Sequence, residues 1–190
     1  MKKKLYILPF DHRGSFIKMF GFDPEHLDDA SVALLSDYKH IVYEGFLLAL
    51  EEGVPADAAA ILVDEQFGAH IHEEAKKRGI TRILTVEKSG QDEFDFEYGT
   101  NYAAHIQKFS PDYVKALVRY NPESSQELNM MQKERLAALN SYCKAEAYAF
   151  LFELLVPATP SQLAICNGSE ETYEKTIRAN LTRRAIDEIR

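Results

Sequence analysis

Five short, almost purely apolar runs punctuate this chain, and a helix-patterned stretch follows each of them. The runs are LYILPF at 5–10, AILV at 60–63, ITRILTV at 80–86, YVKALVR at 113–119 and YAFLFELL at 148–155. Strands that are apolar along their whole length are covered on both faces, as parallel sheets clad by helices are. The alternation therefore predicts an α/β fold. Asp23-Pro24-Glu25 reads as an N-cap with proline at the first helical position. From Asp29 to Glu52, apolar residues recur at helical spacing (Val32, Leu35, Tyr38, Val42, Phe46, Leu50), and Gly53 ends the run. Further helices are predicted from Gln66 to Arg78, from Tyr102 to Phe109 and from Asn121-Pro122-Glu123 to Ala145. A last helix opens at the N-cap Ser169. The polar stretch 91–99 reads as loop, and Pro157 with Pro160 predicts another. No Gly/Ser-rich linker divides the chain, so residues 1–190 are read as one domain.

Composition narrows the function classes. The 190 residues are 46% apolar and 27% charged, which suits a globular protein rather than a disordered or fibrous one. A net charge of -8 argues against a nucleic-acid surface. Two cysteines, Cys143 and Cys166, make no disulfide framework, and a reducing cytoplasmic location is the default. The basic start Met1-Lys2-Lys3-Lys4 precedes an apolar run too short, and too soon interrupted by Asp11-His12-Arg13, for a signal peptide. No apolar stretch approaches the ~18 residues of a membrane span. A dinucleotide fingerprint and a phosphate-binding P-loop are both missing.

Chemistry in α/β folds gathers at the carboxyl ends of parallel strands. Here those ends read Asp11-His12-Arg13-Gly14, Asp64-Glu65, Glu87-Lys88 and Arg119-Tyr120-Asn121. Four polar strand ends in succession favour a pocket over simple solvent exposure. Two charges lie within strands: Lys115 among Val114, Ala116 and Leu117, and Glu153 among Phe150, Leu151, Phe152, Leu154 and Leu155. An isolated charge in an apolar core is costly. A Lys115–Glu153 pair across neighbouring strands would offset both desolvations. Such a pair either fixes strand register and nothing more, or forms an acid/base pair at a pocket mouth. Period two places Lys115, Leu117 and Arg119 on one face. Glu87 shares a face with Ile83 and Thr85, Lys88 points the other way, and a strand-end turn can break that alternation. Metal binding by Asp11, His12, Asp64 and Glu65 rests on carboxylates too common to be specific. His70 and His72 are two apart on a helix and do not face each other. Neither cysteine has an obvious histidine partner.

The segments Phe10-Asp11-His12-Arg13-Gly14, Val86-Glu87-Lys88-Ser89-Gly90, Val114 to Tyr120 and Phe152-Glu153 together resemble the tagatose-1,6-bisphosphate aldolase family of class I aldolases. The resemblance is closer to the aldolase-like domain found fused to 5-dehydro-2-deoxygluconokinase in bacterial inositol catabolism, labelled 2-deoxy-5-keto-gluconate-6-phosphate aldolase. It covers essentially the whole chain. It implies a (β/α)8 barrel and a Schiff-base lyase acting on a phosphorylated keto sugar or keto acid, without cofactor or metal. Asp11 matches the strand-1 aspartate, in a motif where the family has glutamine at the place of His12. Lys115 matches a lysine that assists the site's electrostatics, and Glu153 a proton-shuttling glutamate. Glu87 and Lys88 match a pair near the pocket. Arg13 binds a substrate phosphate or holds Asp11, and Arg119 joins the substrate-binding group.

The family's imine-forming lysine sits on a sixth strand, whereas five strands are read here and a barrel takes about 250 residues. The expectation is a barrel incomplete at its C-terminus after about five βα units. Such a chain would be inactive alone, with open edges that favour homo-oligomers. Lys115 beside a carboxylate is a poor free amine, because a neighbouring anion raises its pKa. The alternative function is a non-catalytic sugar-phosphate-binding or regulatory domain serving a fused or neighbouring sugar kinase.

Overall fold

The structure is a computed structural model describing residues 4–190; Met1 to Lys3, most of the basic start, lie outside the described residues. Strand β1 (Tyr6–Pro9) leads into a short helix α1 (Gly14–Met19) and a long one, α2 (Asp29–Glu51). Then β2 (Ala59–Val63), α3 (Glu65–Lys77), β3 (Thr81–Thr85), α4 (Tyr102–Phe109) and β4 (Tyr113–Arg119) alternate. Helix α5 (Gln126–Ala145) and strand β5 (Ala149–Leu155) follow, and the chain closes on α6 (Pro160–Ile165), α7 (Glu170–Thr176) and α8 (Arg178–Ile189). The strands pair in chain order, β1-β2-β3-β4-β5, and every pairing is parallel.

This sheet curls. In a flat sheet β1 and β4 would stand three strand spacings apart, about 14 Å. Yet Lys115 on β4 reaches Asp11, just past β1, at 2.8 Å. The described residues thus form a five-stranded half-barrel, in keeping with the five βα units read from the sequence. Its concave face is filled by Ala60, Leu62 and Ile83, with Tyr113 and Leu151 against them. On the convex face, Val114, Ala116 and Val118 pack with Leu136 and Leu139 of α5, and Ala59, Ile61 and Val63 pack with Tyr43 and Phe46 of α2. Both faces of the inner strands are therefore apolar, which is why those strands read as unbroken apolar runs.

Element boundaries depart from expectation where side chains bind backbone locally. At Asp23-Pro24-Glu25 no helix starts: Asp23 Oδ1 accepts from the Glu25 N–H at 3.0 Å and makes a turn. Helix α2 begins instead at Asp28, whose carboxylate accepts from the Ser31 N–H at 2.8 Å. Asn121 likewise closes a turn onto the Glu123 N–H at 2.9 Å, and α5 starts later with Ser125 as N-cap. The loop predicted at Pro157 and Pro160 holds a helix: Thr159 and Gln162 form a capping box with Pro160 in the first turn. The last helix opens at Ser169 as expected but breaks at Ile177. Tyr173 Oη donates to the Val156 carbonyl at 2.9 Å, and Tyr120 Oη to Glu188 at 2.6 Å, so each half is pinned separately to the barrel.

Candidate functional site

At the carboxyl ends of the strands lies a pocket of about 240 Å³. Asp11, Lys115 and Glu153 line it. So do Arg13, Glu87, Lys88 and Arg119, so the seven residues that the resemblance assigns to the site meet in one cavity.

Lys115 is its centre. Strand alternation turns Val114 and Ala116 outward and Lys115 inward, beside Thr85 on β3 and Leu151 on β5. Its Nζ donates to Asp11 Oδ2 at 2.8 Å and Glu87 Oε1 at 2.9 Å, and lies 3.0 Å from Glu153 Oε2. Three carboxylates surround one ammonium that is only 2% exposed. Burial alone pulls the Lys115 pKa down. The charges and hydrogen bonds of Glu87 and Asp11 outweigh it, and the net shift is upward. This lysine is a fixed cation.

The three carboxylates are not equivalent. Glu153, flanked by apolar residues along β5, has a side chain that is 47% exposed, as the pocket-mouth alternative requires. The reason is topological: β5 is the edge of the sheet, and Glu153 stands beside Leu117, one step nearer the pocket mouth than Lys115. Glu87 is buried; its second oxygen has no hydrogen-bond partner among the described residues, nor has the Thr85 hydroxyl. Both Glu87 and Lys88 line the pocket because β3 ends at Thr85, and Glu87 then bridges antiparallel to Phe96, breaking the simple alternation.

Arg13 has neither a free guanidinium nor a bond to Asp11. It is buried, donating to Glu97 Oε2 at 2.7 Å and to the Glu87 carbonyl. Glu97 also accepts from the Ser89 N–H at 3.2 Å, so Arg13 and Glu97 clamp the 87–97 loop over the site. Lys88 is exposed at the rim and makes no ion pair among the described residues. Arg119, the last residue of β4, is half-buried and donates to the Gln91 carbonyl at 2.9 Å.

Strand 2 ends differently from expectation. Asp64 is fully buried, caps α3 through the Phe67 N–H at 2.9 Å and pairs with Lys39 of α2. The Lys39 ammonium sits over the rings of Phe16 and Phe67 at 5.3 and 5.6 Å. Burial lowers its pKa despite Asp64 beside it. Glu65 bonds His105 at 2.7 Å and Lys108 at 2.9 Å. These two carboxylates are thus taken up by other side chains. Lys39 went unremarked in the sequence, yet it shares the buried stripe of α2 with Leu35, Tyr43 and Phe46. A charge on an apolar stripe is the signal that finds it. His72 is also a core residue: Nε2 lies 3.1 Å from the Val63 carbonyl, and burial lowers its pKa to about 4. Both cysteines are buried and free, and burial pushes the Cys143 thiol up to about 11.

Among known families, one profile covers residues 1–180; it is described as an uncharacterized protein conserved in bacteria, DUF2090. The chain belongs to the DUF2090 family. Distant relatives have established names. This DUF2090 chain is 25% identical over 153 residues to tagatose 1,6-diphosphate aldolase 1 of Streptococcus mutans serotype c, covering 78% of the chain and 44% of that enzyme. It is 24% identical over 156 residues to the tagatose 1,6-diphosphate aldolase of Staphylococcus aureus strain JH9, with the same coverage. The strain Newman protein matches equally. The DUF2090 chain thus spans less than half the length of the relatives it matches.

Proposed function

We propose that this chain supplies the charged half of an aldolase-type active site, in a class I lyase acting on a phosphorylated keto sugar or keto acid. The observation that carries this reading is the single ammonium of Lys115 held by Asp11, Glu87 and Glu153 at the carboxyl ends of parallel strands. Cleaving the carbon–carbon bond beside an iminium needs a base to take the hydroxyl proton on the carbon that leaves as the aldehyde. It also needs fixed charge around the electron pair left behind. Glu153, half-exposed at the mouth, is the proton carrier. Asp11 and Lys115 orient the reacting carbons, and Lys88 with Arg119 receives the phosphate. The distant aldolase relatives support the reaction class. A 2-deoxy-5-keto-gluconate 6-phosphate substrate, inositol catabolism, a sugar kinase fused or nearby and a cytoplasmic location extend the same reading. A (β/α)8 barrel and one domain over residues 1–190 belong to it as well. The open edges of the sheet add self-association.

Lys115, raised in pKa, does not form the imine. The nucleophile is assigned to another lysine, which the resemblance implies on a sixth strand; the described residues hold five. That same protonated Lys115 favours a second reading, a non-catalytic sugar-phosphate-binding or regulatory domain.

The test is intact mass after incubation with dihydroxyacetone phosphate and borohydride, on this chain and on any longer product of its gene. A stable adduct at a lysine other than Lys115 supports the lyase. An adduct on Lys115 overturns its assignment as a fixed cation. No adduct in either protein sinks imine formation with this ketone and leaves the binding domain.

A further inference from the structure

Beside the site, a second cavity of about 340 Å³ opens between the start of α5 and the 157–160 segment. Arg119 lines both cavities, so the second one adjoins the first. Its wall includes Ser124, Asn129, Gln132 and Thr159, with Asp92 across from them in sequence, on the 91–99 loop.

Asn129 and Gln132 are the unusual members. They are 5% and 0% exposed, and each satisfies only one end of its amide. Asn129 Nδ2 donates to the Asn121 carbonyl at 2.9 Å, which leaves Oδ1 as the free acceptor. Gln132 Oε1 accepts from the Phe94 N–H at 2.7 Å, which leaves Nε2 as the free donor. These backbone bonds fix both amide orientations. Neighbouring Asn121, by contrast, is saturated: it donates to Pro157 and Gln162 and accepts from Glu123. Residues three apart on a helix share a face, and both amides line this cavity.

Buried polar groups without partners are rare and ask for an explanation. A phosphate or carboxylate only accepts, and would leave Asn129 Oδ1 unpaired. An ammonium only donates, and would leave Gln132 Nε2 unpaired. A hydroxyl does both. Asp92 accepts and Arg119 donates, which suits further hydroxyls.

We propose that this cavity is a subsite for the uncharged, hydroxyl-bearing far end of a sugar phosphate whose phosphate lies against Lys88 and Arg119 and whose reacting carbons stay at Asp11 and Lys115. The proposal rests on reading the adjoining pocket as a phosphosugar site. It assigns the substrate a polyol chain long enough to reach from one cavity into the next.

The test uses ligands that have no carbonyl and so form no imine. Side-chain and backbone NMR signals of the chain are followed during titration with inorganic phosphate, glycerol 3-phosphate and glucitol 6-phosphate. All three shift signals of Lys88 and Arg119. Only glucitol 6-phosphate shifts the side-chain amides of Asn129 and Gln132, and it binds about tenfold tighter than glycerol 3-phosphate. Gln132→Met removes that tenfold advantage. The wild-type amide shifts give the answer even if the variant folds poorly. Equal binding of the two esters, with unmoved amides, overturns the subsite and leaves the phosphosugar reading intact. If no phosphate ester moves Lys88 or Arg119, the phosphosugar reading fails. The subsite is then judged on unphosphorylated glucitol, which must still shift both amides; if it does not, ordered water alone fills the cavity.

Discussion

A single lysine sets the balance of the pocket. Without the Lys115 ammonium, Asp11, Glu87 and Glu153 lose the one cation that all three contact among the described residues. Breaking a buried pair by removing one partner costs about 3–5 kcal/mol. Lys115→Met is therefore expected to lower the unfolding free energy read from urea denaturation by that order at pH 7. An unchanged unfolding free energy would contradict the electrostatic account. Because the Lys115 pKa is raised on folding, its contribution is complete below the unfolded value of about 10.4 and fades as pH climbs further. The alkaline fall in wild-type stability should accordingly be shallower in the Met variant. His72 works at the other end of the scale. Its pKa falls from 6.5 to about 4 on burial, so the unfolded chain binds its proton first. Stability should decline as pH drops from about 6.5 toward about 4. Replacing His72 with Gln should flatten that limb in denaturation curves, and an unchanged limb would show that other groups cause it.

At the level of elements, close packing decides more than propensity does. Gly68 lies within α3, where alanine would ordinarily add up to ~1 kcal/mol. Here a Cβ would meet Val63 Cγ2 at 2.3 Å, on a strand buried along its whole length. Overpacking of this kind costs about 1–3 kcal/mol. Gly68→Ala is expected to lower the melting temperature despite its better helix propensity; a rise would mean that β2 yields easily. The pair between Lys39 and Asp64 ties α2 to the same strand. Helix α2 was legible from its apolar period, because burial of one face repeats along the chain. Its span from Asp29 matches the reading, but its N-cap was misplaced, as was that of α5. Asp23, Asp28, Asn121 and Ser125 are all chemically able to cap, and which of them ends up capping a helix depends on where the helix docks.

For the whole molecule, the open edges of the sheet matter most. Tyr6 is 61% exposed on β1 and Leu155 is 38% exposed on β5. An apolar hollow of about 390 Å³ runs along the β1 edge between Ile7, Val42, Phe46 and Val54. Unpaired strand edges invite further strands. Sedimentation velocity should show concentration-dependent association of this chain, and Ile7→Lys should shift it toward monomer. A wild-type monomer at all concentrations would reject association across this edge. The chain order of the strands, their all-apolar character and the polar residues at their ends could be read directly from the sequence, since periodicity and burial on both faces are local signals. The curl of the sheet could not. It alone brings Asp11 and Lys115, 104 positions apart in the chain, to 2.8 Å and adds Glu87 to the pair expected between Lys115 and Glu153. Likewise, Arg13 turned out to be a clamp on Glu97, and Glu153 a half-exposed rim carboxylate. A residue's identity fixes what bonds it can make, and the packing of distant segments selects which of those bonds form.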